Sequence, residues 1–572
     1  MDEMYLAAEE VYKNRNRFII IGVTGRSGSG CSTVADILTC KFEELLIPPS
    51  CLSSSATDHD RKKFILRNFA QRNWKPFFKI KMSDIITSYV FQCEYDKIAR
   101  YIADEAGLEF PFSEVEFKAV NEENNCLEMV SGGRFSQIDK DDVYQYMKDV
   151  LPMKSEEFKK NLGNTDDGKC TSMYQKFGNN IRKYGSAVPV GNPSVANIYT
   201  LAERINKTIK VIRKYNTVKD EQSYFVIDAF RNPFEALFFQ ERYSAFYLLG
   251  VRCSEEDRLD RLTTIYNFAK KKIQDIDDRE NPKSDPLKSL ENFISQDIAT
   301  CIQLSDVLVE NCGKSKSANY NDLKEQLIRY ISLMQHPGLI NPSTNEKMMQ
   351  VAFTAKLNSG CLSRKVGAVV TNAVGVPKAI GWNSSPEGQT SCLLRNAHTM
   401  GSKEDSYAYS EYETQDKDFL AAVDGYVKGY DDKLSERGLN CAFCFKDIEN
   451  KIEGYKANQV HNRALHAEEN AFLQVAKFGG EGIKGGKLYT TASPCDLCAR
   501  KAFQLGIRQI FYIDPYPGIA TSHVLNVGLT PPQLVLFRGA IGAAYHKLYS
   551  SILPYKDELY SYMTGDFFKK PD

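Results

Sequence analysis

The pattern that most limits the fold of this chain is His466-Ala467-Glu468 followed by Pro494-Cys495-Asp496-Leu497-Cys498. One imidazole and two thiolates are enough protein ligands to hold zinc while leaving a fourth position for water, the arrangement of a catalytic rather than a closed structural site. The backbone must therefore bring two separate segments to within a few ångströms of each other. Ahead of the cysteines, Leu488-Tyr489-Thr490-Thr491 predicts a strand, and Pro494 suits the first position of a following helix. The thiolates would then lie at the positive end of that helix, which favours their ionised, metal-binding form. Glu468 need not bind metal and is available for proton transfer. A structural zinc, or an ordinary C-x-x-C with no metal, would have no use for the upstream H-x-E or for the proline.

H-x-E with P-C-x-x-C is the signature of the zinc-dependent nucleobase deaminases. In that chemistry the carboxylate takes a proton from water, passes it to the ring nitrogen of the base and finally protonates the departing ammonia. The surrounding residues extend the likeness. Pro342 to Val370, with Glu346, Met349, Ala352, Ser359 and Ser363-Arg364-Lys365-Val366-Gly367-Ala368, resembles the opening helix and first strand of deoxycytidylate deaminases. Gly381-Trp382-Asn383-Ser384-Ser385-Pro386 resembles their G-[YW]-N-x-x-P turn, and Phe537-Arg538-Gly539-Ala540 with Leu548-Tyr549 continues the likeness, which runs from Pro342 to Pro554. It implies a three-layer α/β/α cytidine deaminase-like fold, a free deoxycytidine nucleotide as substrate, a homo-oligomer, and a sugar-binding role for Asn383. The alternative for Asn383 is an asparagine that makes the turn.

Between Asn383 and His466 the chain is longer than in a minimal member of that family, which predicts a remodelled substrate entrance. The insertion covers about residues 400–460, and Met400 to Lys433 is rich in Asp, Glu, Ser and Tyr. Cys441-Ala442-Phe443-Cys444 lies inside it, with His461, Cys392 and His398 as further soft ligands. A second, structural zinc would tie down a polar loop with little apolar surface to pack. Two free loop cysteines are the other reading.

The N-terminal part obeys a different pattern. Short apolar runs, Phe18-Ile19-Ile20-Ile21, Tyr224-Phe225-Val226-Ile227 and Phe246-Tyr247-Leu248-Leu249, alternate with helical stretches, as expected for a parallel sheet covered by helices. After the first run comes Gly25-Arg26-Ser27-Gly28-Ser29-Gly30-Cys31-Ser32-Thr33, then a helical pattern, in the order strand, glycine-rich loop, helix. Such a loop wraps a phosphate with its backbone N–H groups. Gly25 and Gly30 take the two glycine positions of a P-loop and Ser32 the magnesium-binding hydroxyl position, but Cys31 stands where the lysine should be. Phosphate binding thus stays expected while phosphoryl transfer does not, and Arg26 is a substitute cation. Asp228 at the end of a strand resembles the acidic residue that holds magnesium in nucleotide kinases. Arg258 and Arg261 resemble a kinase lid, or else form a solvated helix face.

Residues 15–311 are accordingly expected to form a P-loop kinase-like domain that takes ATP, GTP or another nucleotide with Mg2+. Residues 312–341 form a linker with one helical segment, and residues 342–572 the zinc domain. The combination resembles the anti-phage dCTP deaminases of bacteria, which remove the cytosine precursor of viral DNA synthesis and some of which are restrained by a small RNA.

Composition narrows the partners. Lys plus Arg is 73 and Asp plus Glu is 73, so the chain has none of the basic excess that nucleic-acid or anionic-membrane surfaces need. Met1 to Arg17 is acidic and polar, and no segment has the ~20 apolar residues of a membrane helix, which predicts a cytosolic protein. An odd count of 15 cysteines argues against a disulfide framework. The expected activity is zinc-dependent hydrolysis of dCTP or dCMP to the deoxyuridine nucleotide and ammonia. The alternatives are a cytosine editor of RNA or DNA and a nucleotide sensor without catalysis.

Overall fold

The computed structural model describes residues 10–13, 15–48, 52–131, 140–163, 169–280, 290–313, 320–400, 405–430, 432–454, 461–479, 481–515 and 519–562. The chain divides into two compact units, one comprising residues up to Asn341 together with those from Ala543 on, the other Pro342–Gly542. This differs from the expected boundaries. The helix Asn321–Gln335, placed in a linker from sequence, buries Leu323, Leu327, Ile328, Ile331 and Leu333 and belongs to the first unit. A helix with that many buried apolar residues is core, not connection. Residues 314–319 of the expected linker, and 401–404, 431 and 455–460 of the insertion, lie outside the described residues.

In the first unit the strands β1 (Phe18–Thr24), β2 (Phe78–Lys81), β3 (Ser223–Phe230), β4 (Phe246–Arg252) and β5 (Val307–Glu310) are all parallel, in the order β5-β4-β1-β3-β2. Every residue of β1 and β4 is buried, which is why their sequences are apolar without alternation. From β1 the chain leaves towards β2, whereas from β3 it crosses to β4 on the other side of β1. Connections that diverge in this way open a crevice at the carboxyl ends of the two strands. Val23 stands opposite Asp228 in register, so the glycine-rich loop and the end of β3 share that crevice.

The second unit holds a five-stranded sheet made of β6 (Gly367–Thr371), β7 (Pro377–Trp382), β8 (Lys487–Ala492), β9 (Gln509–Asp514) and β10 (Gln533–Leu536), in the order β10-β9-β8-β6-β7. Strand β6 is antiparallel to both neighbours, and β8, β9 and β10 are parallel. The helix Thr344–Ala355 starts at a capping box in which Ser343 Oγ accepts from the Glu346 N–H at 3.2 Å and Glu346 accepts from the Ser343 N–H at 2.9 Å. A Cβ on Gly367 would meet the Ala352 carbonyl of that helix at 2.0 Å. A Cβ on Gly381, the partner of the next residue Ala368, would meet the Ala467 carbonyl at 2.2 Å and the Ala471 nitrogen at 2.5 Å. Successive strand residues face opposite sides, so the helices Thr344–Ala355 and Ala467–Phe478 cover the two faces and give three layers.

The insertion contradicts the expectation of a polar loop. Ala397, Ala408, Tyr409, Phe419, Val423, Cys441, Phe443 and Ile448 form their own buried cluster, with the helices Lys417–Lys428 and Phe445–Ile452 contributing. Beside it the wholly buried Arg395 pairs with Glu413, and its guanidinium lies 4.8 and 4.6 Å from the ring centroids of Tyr409 and Phe443. The apolar residues are spaced too irregularly to be read as one face. Among the described residues, no helix is long and apolar enough to cross a membrane.

Gly381 is where the sheet admits the helix that begins beside His466. Replacing it with alanine forces backbone atoms apart, and Gly381→Ala should destabilise the second unit by about 1–3 kcal/mol in urea unfolding and reduce retained zinc. Stability and zinc content equal to the parent's would contradict this packing.

Candidate active site and glycine-rich loop

Both ends of the signature stand at helix starts. His466 is the N-cap of the helix Ala467–Phe478, and Cys495 the N-cap of the helix Asp496–Gln504, neither with a side-chain cap bond. The caps are left free to turn their side chains towards each other, and Cys498 follows one turn into the second helix. Pro494 precedes the cap rather than occupying the first helical position, a shift of two residues from expectation, because Cys495 has extended rather than helical backbone.

His466 Nδ1 lies 3.2 Å from Cys495 Sγ and 3.5 Å from Cys498 Sγ, and all three atoms lie within 4.8 Å of one another. Ligands about 2.0–2.3 Å from a tetrahedral zinc are separated by about 3.5–3.8 Å, so the donor set fits that ion. A hydrogen bond from the Cys498 thiol, with a second from His466, pulls Cys495 down to about 4, and Cys498 is raised in return. Glu468 begins the same helix as His466 and is buried, with Thr490 Oγ1 of β8 donating to its Oε1 at 3.3 Å. Burial raises its carboxyl above the ordinary range. His466, Glu468 and Cys495 line one cavity of about 130 Å³.

Asn383 lines that cavity too, but its amide is tied to the chain: Oδ1 accepts from the Val366 N–H at 2.7 Å and Nδ2 donates to the Arg364 carbonyl at 2.8 Å. It holds the segment before β6 against the site. The turn is fixed from the other side by Asn470, whose Nδ2 donates to the Trp382 carbonyl at 2.8 Å. Sequence reasoning missed Thr490 as a partner of Glu468, and missed Arg364, Lys446 and Arg463 on the cavity wall. Arg463, just ahead of the H-x-E, keeps a buried Nη1 without a partner among the described residues. A basic residue immediately upstream of the signature was the available signal.

Among the described residues, Cys441 and Cys444 are not gathered with other metal-ligating side chains. Cys441 is 1% exposed inside the insertion's apolar cluster, whereas Cys444 and Cys392 line the active-site cavity. His461 pairs with Glu453 at 2.9 Å, and His398 stands edge-on to Tyr430. Among the described residues, the group of metal-ligating side chains that comes together is His466, Cys495 and Cys498.

In the first unit, Gly28, Gly30, Cys31, Ser32, Thr33 and Asp228 line a second cavity of about 450 Å³, whereas Gly25 and the buried Ser29 of the same loop do not line it. Gly30 caps the helix Cys31–Thr39 at φ 98°, a conformation that favours glycine, and Asn311 Nδ2 packs where its Cβ would be. Burial raises Asp228 despite Lys79, whose Nζ lies 3.9 Å away. Arg258 and Arg261 are neither a lid nor a solvated face. Arg261 donates to the carbonyls of Gly28, Ser29, Asn311 and Gly313, and Arg258 pairs with Glu255 at 2.6 Å and Asp277 at 2.7 Å. Both are buried because they brace the loop.

Comparison with known proteins agrees with the geometry of the second unit. Residues 342–514 match the family model described as the cytidine and deoxycytidylate deaminase zinc-binding region. The deoxycytidylate deaminase of Enterobacteria phage T2 is 28% identical over 169 residues, 30% of this chain and 79% of the phage protein. That of phage T4 is 27% identical over 174 residues, covering 30% and 77%. Among solved structures, the dCMP deaminase of cyanophage S-TIM5 in complex with dCMP and dUMP matches at 22% identity, covering 35% of this chain and 99% of its own, with a TM-score of 0.21. The family match falls within the second unit and includes His466, Glu468, Cys495 and Cys498.

Glu468→Ala should retain zinc, read by elemental analysis, while ammonia release falls by roughly 10²–10⁴-fold. Cys495→Ser should lose both metal and turnover. Full turnover by the Glu468 variant would refute a proton-transfer role for this carboxylate.

Proposed function

We propose that this chain is a zinc-dependent hydrolase that converts a deoxycytidine nucleotide, dCTP or dCMP, to the deoxyuridine nucleotide and ammonia. The observation that carries the reading is the convergence of His466, Cys495 and Cys498 on one point with Glu468 in the same cavity. A zinc ion held by these three ligands supplies Lewis acidity that makes a water molecule nucleophilic near neutral pH.

The protein's own groups supply the rest. Glu468, held by Thr490, takes a proton from the attacking water as its oxygen bonds to C4, delivers that proton to N3 of the cytosine ring, then takes the proton of the new C4 hydroxyl and passes it to the amino group, which leaves as ammonia as the C4 carbonyl forms. Its buried position, which raises the carboxyl, suits a group that must be both base and acid within one turnover. Asn383 keeps Arg364 to Val366 against the cavity, and the second lone pair of its Oδ1 and the second hydrogen of its Nδ2 are left to meet the sugar. Arg463 and Lys446 place positive charge on the wall, which favours a substrate bearing phosphate over a bare nucleoside.

The first unit is read as a P-loop kinase-like nucleotide-binding regulator. Its support is the position of the glycine-rich loop beside Asp228 at the diverging strand ends. By the resemblance set out from sequence, the reading extends to a cytosolic homo-oligomer that depletes dCTP in defence against phage and is restrained by a small RNA.

Incubating the protein with dCMP, dCTP, CTP and a cytosine oligonucleotide, with ammonia as readout, tests the substrate class. Deamination confined to the oligonucleotide would overturn the free-nucleotide reading. Arg463→Ala should raise KM for the nucleotide by roughly 10–100-fold, the loss of one charge-assisted contact, with a much smaller effect on kcat.

A further inference from the structure

The glycine-rich loop lacks its lysine, and the thiol that replaces it carries no charge, since burial pushes Cys31 up to about 12. Arg26, the substitute that the sequence offers, is committed elsewhere. Its Nη1 pairs with Glu255 at 2.8 Å and its Nη2 with Asp277 at 3.0 Å, the same two acids that hold Arg258. A different cation stands at the loop. Arg231 follows the end of β3, and its Nη1 lies 3.3 Å from Ser27 Oγ and pairs with the carboxylate of Glu280.

Glu280 is the last residue of the helix Lys270–Glu280 and is wholly buried. Its carboxylate accepts from the Ser27 N–H at 3.0 Å and from Ser27 Oγ at 2.5 Å. A buried anion thus sits on a backbone N–H of the glycine-rich loop with a guanidinium beside it. These are the contacts that such a loop and an arginine make to phosphate. The helix bearing Glu280 is latched in place through Asp277, which pairs with Arg26 and Arg258. The cavity around the loop is walled on another side by Tyr174, Tyr266 and Phe268, flat surfaces suited to a base.

Resting on the reading of this loop as a nucleotide site, we infer that Arg231 is the cation that replaces the missing lysine, and that Glu280 is an internal counter-anion which a nucleotide phosphate displaces from Ser27 and Arg231. Phosphate binding is then an exchange of one anion for another on the same donors. The exchange frees the end of the helix Lys270–Glu280, so occupancy of the loop is linked to the position of that helix. Removing the competing negative charge strengthens binding, and removing the guanidinium weakens it.

The test is calorimetric titration of the full chain with Mg-ATP and with inorganic pyrophosphate. Glu280→Gln should bind both about tenfold more tightly than the parent, Arg231→Ala at least tenfold more weakly, and Arg231→Lys should recover most of the loss. Parent-like binding by Arg231→Ala, or weaker binding by Glu280→Gln, would overturn the inference while leaving the loop a nucleotide site. Absence of binding by the parent and by Glu280→Gln alike would overturn the nucleotide reading as well. Should Arg231→Ala fail to fold, as judged by its thermal transition, Glu280→Gln and Arg231→Lys decide.

Discussion

Two helix starts facing one another make the second unit what it is. His466 and Cys495 cap their helices without using their side chains for capping, so an imidazole and a thiolate project from positive helix ends into the same space. Hydrogen bonds from Cys498 and His466 favour the thiolate of Cys495, and Glu468 and Cys498 take their positions from the same two helices. The sheet beneath sets how closely those helices approach. Gly381 lets the first of them settle on β7, and β8 presents Thr490 to the carboxylate.

The site's chemistry was legible in sequence because it depends on residues close together in the chain. The H-x-E and P-C-x-x-C spacings dictate which side chains share a helix start, and Leu488 to Thr491 falls within β8 as expected. The Gly-Trp-Asn turn was recognisable only as a likeness. The structure supplies the reason for its glycine, which is backbone contact with a helix far along the chain, and for its asparagine, which bridges Arg364 and Val366. Of the cations on the cavity wall, Lys446 was not legible, since it reaches the cavity through the fold of the insertion, whose core residues follow no regular period.

A similar division holds in the first unit. Apolar runs identified β1, β3 and β4 because strands buried on both faces must be apolar throughout. The fates of its arginines could not be read from spacing. Arg258 and Arg261 lie on one helix face as expected, yet that face is turned inward and spent on acids and loop carbonyls. Charge that looks like a surface in sequence is here internal scaffolding, satisfied by partners from distant segments. Domain limits failed for a related reason: polar turn residues around the helix Asn321–Gln335 imitate a linker, while its apolar face belongs to the first unit.

The account stands on a metal held by one nitrogen and two sulfurs with a position left open. X-ray absorption at the zinc edge of the purified protein addresses this directly. One zinc per chain with two sulfur neighbours near ~2.3 Å and two lighter neighbours near ~2.0 Å is the predicted result. A shell of four sulfurs, or a protein that binds no zinc when supplied with it, would contradict the assignment of His466, Cys495 and Cys498 as a catalytic centre.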